Sequence, residues 1–186
     1  MKRVLAVLLV IVIVFYLPPT RAYAAVGEPS VSAESAVLLD SASGDILFSK
    51  NSDSRMGMAS TTKIMTALVA VENCDIKKKI EVSPLAVGIE GSSIYLYAKE
   101  QFTIEELLYA LLLRSANDAA AAIAIAVGGS IESFADMMNE RAEQMGLKNT
   151  HFTNPHGLSD DDHYTSAYDL AVIASCAMKN DVLRKI

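Results

Sequence analysis

Between Asn117 and Val127 the chain reads Asn-Asp-Ala-Ala-Ala-Ala-Ile-Ala-Ile-Ala-Val and then meets Gly128-Gly129. Alanine is the strongest helix former, and paired glycines are a natural stop. This helix has no polar face, so it must be buried on most sides. A chain carrying it has to build a cluster of helices around it, and the rest of the sequence supplies them.

Met58 to Val71 places Ile64, Leu68 and Val71 at helical spacing. Thr103-Ile104-Glu105-Glu106 has the form of a capping box and opens a helix running to about Leu113. Ser130 is positioned to cap a further helix with Ile131, Phe134, Ala135, Met138, Ala142 and Met145 on one face and Gly146 as its stop. A last helix opens at Thr165 or Ser166, with Asp169 in the capping-box position, and continues to about Met178. Ahead of them all, Ala36-Val37-Leu38-Leu39 and Ile46-Leu47-Phe48 flank Asp40–Asp45, a turn segment containing Gly44, and predict a β-hairpin. Ser49-Lys50-Asn51 reads as the polar turn after it. A hairpin alone is not a stable sheet. Its partner strands are not evident in these residues, and the sequence stops at Ile186 directly after a helical segment, so the chain is expected to be cut short.

The N-terminus reads as a secretory signal. Lys2 and Arg3 precede an apolar run from Val4 to Leu17, followed by Pro18-Pro19 and the Ala22-Tyr23-Ala24 cleavage pattern. That run falls short of the roughly 18–20 residues of a spanning helix, so cleavage is favoured over a retained anchor. The expected organisation is a signal peptide at 1–24, a loosely held leader at 25–34 and a catalytic domain, incomplete, at 35–186. Removing the signal takes Lys2, Arg3 and Arg21 and no acidic residue, so the formal charge falls from −6 to −9. Such an acidic protein is a poor partner for nucleic acid or anionic lipid. Lys77-Lys78-Lys79 is read as a solvated loop. Cys74 and Cys176 are expected as free, largely buried thiols, although export permits a disulfide.

Two elements can carry chemistry. Ser60-Thr61-Thr62-Lys63 opens the first helix, where residues three apart share a face and the Lys63 amine can reach the Ser60 hydroxyl. A serine needs a base to become a nucleophile, and a desolvated lysine can act as one. Taken alone the pair is also compatible with a capping serine and a solvated lysine, and its pattern arises by chance about once in a chain of this size. Ser115-Ala116-Asn117 lies in the tight link between two apolar helices, where both polar side chains either face a cleft or cap a helix. His151, His156 and His163 lie near Asp160-Asp161-Asp162, but their spacing matches no metal-ligand pattern. No metal or cofactor is expected.

Together these elements resemble the low-molecular-mass penicillin-binding proteins, the serine D-alanyl-D-alanine carboxypeptidases of peptidase family S11. Met58-Ala59-Ser60-Thr61-Thr62-Lys63-Ile64-Met65-Thr66-Ala67 resembles their nucleophile helix, and Leu112–Ala120 their second motif. Asn154-Pro155-His156-Gly157-Leu158 and Thr165–Ala171 match two further signatures, in the right order. The resemblance implies an α/β (α+β) fold of the β-lactamase/transpeptidase type, with a helical cluster packed on an antiparallel sheet. It implies that Ser60 forms an acyl-enzyme, that Lys63 is its general base, and that Ser115 relays a proton to the leaving D-alanine. Asn117 would hold the substrate amide and orient the lysine, and His156 would sit in a structural loop. The implied partners are peptidoglycan stem peptides ending in D-Ala-D-Ala and β-lactam antibiotics, met at the outer face of the cytoplasmic membrane or outside the cell. A membrane association would need a segment beyond Ile186. Gly57 stands where the family often has proline, and no Lys-Thr-Gly or Lys-Ser-Gly occurs. That third motif brings a carboxylate-binding lysine and the second oxyanion donor, so these residues alone are expected to fold poorly and be inactive. A class A β-lactamase is the alternative, but no glutamate here has asparagine four residues on. A non-catalytic wall-associated protein is the other. Mass spectrometry of the exported protein is expected to find its N-terminus near Ala25; a chain beginning at Met1 would indicate a retained anchor.

Overall fold

The computed structural model describes residues 29–186. The expected signal peptide and the first part of the leader lie outside the described residues. Strand β1 (Ala36–Leu39) pairs antiparallel with β2 (Ile46–Lys50), with a register irregularity between Leu38 and Leu39. The turn between them is closed by Asp40, whose carboxylate accepts from the Ala42 and Ser43 N–H groups at 2.8 and 3.0 Å. Ser49 and Lys50 belong to β2 and not to the expected polar turn, which begins only at Asn51 with φ +46°. A 3₁₀ turn (Ala59–Thr61) leads into α1 (Thr62–Asn73). Strands β3 (Lys79–Glu81) and β4 (Gln101–Thr103) form a second antiparallel pair. The helices α2 (Ile104–Leu113), α3 (Asn117–Gly128), α4 (Ile131–Gln144), α5 (Ala167–Lys179) and α6 (Asp181–Lys185) complete the described chain.

Helix α3 is the axis of the cluster, as its composition demands. Every residue from Asn117 to Ala124 is buried, and α1, α2 and α4 pack around it. The approach of α4 is close enough to require Gly128: a Cβ there would lie 2.9 Å from the Phe134 backbone. Gly129 ends the helix at φ +86°. The Thr103–Glu106 capping box of α2 forms with both of its hydrogen bonds, and Ser130 caps α4.

Helix α1 departs from the one-sided stripe its sequence suggests. Thr62, Lys63 and Met65 to Ala70 are all buried, whereas Ile64 and Val71 are only partly so. The cause is tertiary: α1 touches all five other helices, so it has almost no solvent face to pattern. At α5 the Ser166 hydroxyl accepts from the Asp169 N–H at 3.1 Å, but the carboxylate does not close a capping box. It accepts instead from the Asn149 N–H and the Thr150 hydroxyl, both at 2.8 Å, and ties α5 to the segment after α4. Of the expected lysine loop, Lys77 pairs with Glu105 and Lys79 lies in β3. Cys74 and Cys176 are free and half-buried.

Helix α5 packs on β1. The rest of the hairpin stays open, with Leu38, Ile46 and Leu47 all more than half exposed. Among the described residues, no single helix is long and apolar enough to cross a membrane.

Candidate active site

Ser60 sits in the 3₁₀ turn before α1, exposed, with its hydroxyl 3.1 Å from the Lys63 amine. Neither residue has the role its composition alone would allow. Neither the 3₁₀ turn nor α1 has a side-chain cap, so Ser60 caps nothing. Lys63 is only 2% exposed. Its amine donates to Ser60 Oγ and, at 2.7 Å, to the backbone carbonyl of His156. Burial lowers its pKa from the usual 10.5 to about 8. At pH 7 about a tenth of such an amine is neutral, against fewer than about one in a thousand for a solvated lysine. An exposed hydroxyl beside a buried amine of this kind is the arrangement a serine nucleophile and its base require.

The backbone before Ser60 is strained. Ala59 holds φ +45°, a left-handed conformation that costs a residue with a Cβ about 1–2 kcal/mol. Its carbonyl accepts from the Thr62 N–H and, at 2.7 Å, from the Thr62 hydroxyl. Gly157 packs against the same carbonyl. It has φ +90°, and a Cβ there would lie 1.9 Å from Ala59 O and 2.9 Å from Thr62 Oγ1.

Gly157 belongs to a loop, residues 154–158, that cradles the start of α1. Asn154 Oδ1 accepts from the His156 and Gly157 N–H groups at 3.2 and 2.7 Å, and its Nδ2 donates to the Leu158 carbonyl at 3.0 Å. So tied, the loop offers successive carbonyls to α1: that of Pro155 accepts from the Thr66 hydroxyl at 2.6 Å, that of His156 from Lys63. The resemblance implied a structural loop for His156 but not that its backbone carbonyl holds the Lys63 amine. The glycine after it was the available signal. Burial, together with the neighbouring Lys63 amine, lowers the His156 imidazole to about pKa 4, so it is neutral at pH 7.

Ser115 and Asn117 flank Ala116 in the link between α2 and α3. The N-cap of α3 is Ala116, without a side-chain cap, so the capping alternative fails for both. Ser115 holds φ +54° and is partly exposed. The Asn117 backbone N–H donates to Ser92 O at 2.7 Å and its Nδ2 to Glu90 O at 2.5 Å. Its neighbour Asp118 is buried and accepts from the Ser93 hydroxyl and the Ile94 and Leu96 N–H groups at 2.6, 3.2 and 3.0 Å. The second motif thereby staples the 90–96 loop to the core helix. Among the described residues, neither Ser115 nor Asn117 is hydrogen-bonded to Ser60 or Lys63; here the His156 carbonyl orients the lysine.

The histidines do not converge. His151 Nδ1 meets the Asp162 carbonyl at 2.6 Å, His156 Nδ1 accepts from the Leu158 N–H at 3.3 Å, and His163 lies between Thr62 and Thr153. Among the described residues no group of three or more His, Cys, Asp or Glu is arranged to hold a metal ion.

Residues 22–186 match the peptidase S11 family profile, described as D-alanyl-D-alanine carboxypeptidase. The chain belongs to this family. It is 39% identical to the D-alanyl-D-alanine carboxypeptidase DacF of Bacillus subtilis over the whole of this chain and 50% of that protein. The crystal structure of the Streptomyces K15 DD-transpeptidase superposes with a TM-score of 0.81 at 34% identity, over 86% of this chain and 66% of that one. Penicillin binding protein 5 of Haemophilus influenzae gives 0.78 at 34%, over 83% and 47%. The chain spans about half the length of the curated relatives it matches. The α+β arrangement is thus the penicillin-binding, transpeptidase-like fold. Within this candidate site, Gly157→Ala should be severely disruptive, because the added Cβ meets the Ala59 backbone, which cannot yield. We expect a loss of about 3 kcal/mol or more in urea unfolding, read against Gly146→Ala, whose added Cβ at a comparable positive φ meets nothing within 4 Å.

Proposed function

We propose that the protein is a serine D-Ala-D-Ala carboxypeptidase acting on peptidoglycan stem peptides, and that β-lactams acylate the same serine. The observation that carries this is the exposed Ser60 hydroxyl 3.1 Å from the buried amine of Lys63. The names of the relatives support the substrate class.

Neutral Lys63 takes the Ser60 proton as Oγ attacks the carbonyl carbon of the penultimate D-alanine. The Ser60 N–H stabilises the oxyanion. As the amide C–N bond breaks, a proton passes through Ser115 to the departing D-alanine amine, while Asn117 holds the substrate amide. Water then hydrolyses the ester. With a penicillin the broken C–N bond leaves the amine tethered to the acyl group, so it stays in the site and obstructs water. Residues 35–186 belong to the catalytic domain, and 1–24 export it to the cell envelope, where this substrate lies.

The test uses the chain with any residues the natural protein carries past Ile186. We expect fluorescent penicillin to label it and D-alanine to be released from a pentapeptide ending in D-Ala-D-Ala. Ser60→Ala should abolish both; a mutant that still labels would remove Ser60 from the role of nucleophile. Rapid penicillin turnover would instead indicate a β-lactamase. Because only the neutral amine accepts a proton, the acylation rate should rise about tenfold per pH unit below about pH 8 and level off above it. A profile flat from pH 6 to 9 would exclude Lys63 as the base.

A further inference from the structure

His163 stands 101 residues from Thr62 in sequence, yet its Nε2 lies 2.8 Å from the Thr62 hydroxyl. It is 4% exposed and forms a T-shaped pair with the Phe152 ring, centroids 5.8 Å apart. Both ring nitrogens are engaged, and their partners fix its protonation. The Thr153 backbone N–H points at Nδ1 from 3.0 Å, so Nδ1 must accept. The Thr62 hydroxyl donates its only proton to the Ala59 carbonyl at 2.7 Å, so towards His163 it must accept. The imidazole is therefore neutral with its proton on Nε2. Burial, which lowers its pKa, acts in the same direction.

The hydrogen bonds then run one way, from His163 Nε2–H to Thr62 Oγ and from Thr62 O–H to Ala59 C=O. They end on the strained residue that immediately precedes Ser60, on the carbonyl against which Gly157 is pressed. Nothing in the chemistry proposed above uses Thr62 or His163. A strained turn persists only where its surroundings over-determine it. Here the surroundings are Gly157, the backbone bonds of the 3₁₀ turn and one two-step relay that reaches it from a distant loop.

We infer that His163 is a positioning residue for Ser60: through the Thr62 hydroxyl it holds the left-handed Ala59 turn that aims the serine hydroxyl and its N–H. The inference rests on the acyl-enzyme reading of Ser60.

The experiment measures β-lactam acylation on the chain with any residues carried past Ile186, separating the dissociation constant of the first complex from the acylation step. His163→Ala should slow the acylation step roughly tenfold to a hundredfold and leave the dissociation constant within about threefold. His163→Gln keeps an N–H donor of similar reach and should recover most of the rate. Thr62→Val changes shape least, and should reproduce the His163→Ala loss. The double variant should be no slower than either single one, because both cut the same relay. Acylation by folded His163→Ala and Thr62→Val at the unsubstituted rate, with only thermal stability lowered, would overturn the proposal and leave His163 a packing residue. So would strictly multiplicative losses. If penicillin fails to label even the unsubstituted chain, the acyl-enzyme reading falls separately. The relay is then judged on the Ala59 carbon chemical shifts: movement away from left-handed values in Thr62→Val supports it, and unchanged shifts overturn it.

Discussion

A lysine amine buried without a carboxylate is the constraint around which this site is organised. Lys63 forms no ion pair among the described residues; it meets only a hydroxyl and a backbone carbonyl. Desolvation without a compensating charge disfavours the ammonium, and that is what makes the amine available as a base. The arrangement is costly unless the two acceptors are rigid. Rigidity on the His156 side comes from the Asn154 side chain, which ties the 154–158 loop to itself, and from Thr66, which fixes the carbonyl one residue earlier. On the Ser60 side it comes from a backbone held against its own preference.

The two halves of the site are anchored to α3 and α1 in different ways. At the start of α3, Asn117 and Asp118 collect the otherwise unpaired groups of the 90–96 loop, and a loop with no ladder of its own becomes part of the core. At the start of α1, contacts come from residues about 90 to 100 positions later in the chain. Helix α1 can accept them only because it is enclosed by the other helices, which keeps water from competing for the same donors and acceptors.

Elements governed by neighbouring residues could be read from the sequence. The Thr103–Glu106 box, the Ser130 cap, the glycine stops and the hairpin depend on residues a few positions apart, and all formed. So did the burial of α3, since an all-apolar helix has no other destination. What the sequence concealed depends on distant partners. Asp169 has a cap's spacing but spends its carboxylate on Asn149 and Thr150. Ile64 and Val71 fit a stripe that the enclosure of α1 makes irrelevant. Of the site, Ser60 and Lys63 are three residues apart and their meeting was predictable. The roles of Gly157, Thr62 and His163 were not, because no local rule assigns a left-handed φ to an alanine or brings a loop glycine against it.

The hairpin bears on the order in which the molecule can assemble. Its main helical contact is between β1 and α5, elements near opposite ends of the described chain, whereas α2, α3 and α4 pack on neighbours in sequence. Whether the chain is drawn from a ribosome or from an export channel, the hairpin leads the helices out, yet it cannot dock until α5 has followed. Docking leaves Leu38, Ile46 and Leu47 more than half exposed, beside the free backbone edges of a two-stranded sheet, the kind of surface that pairs with whatever strand it meets first. The earliest part of this domain to be synthesised is therefore among the last to be secured, and the helical cluster has to form while it waits.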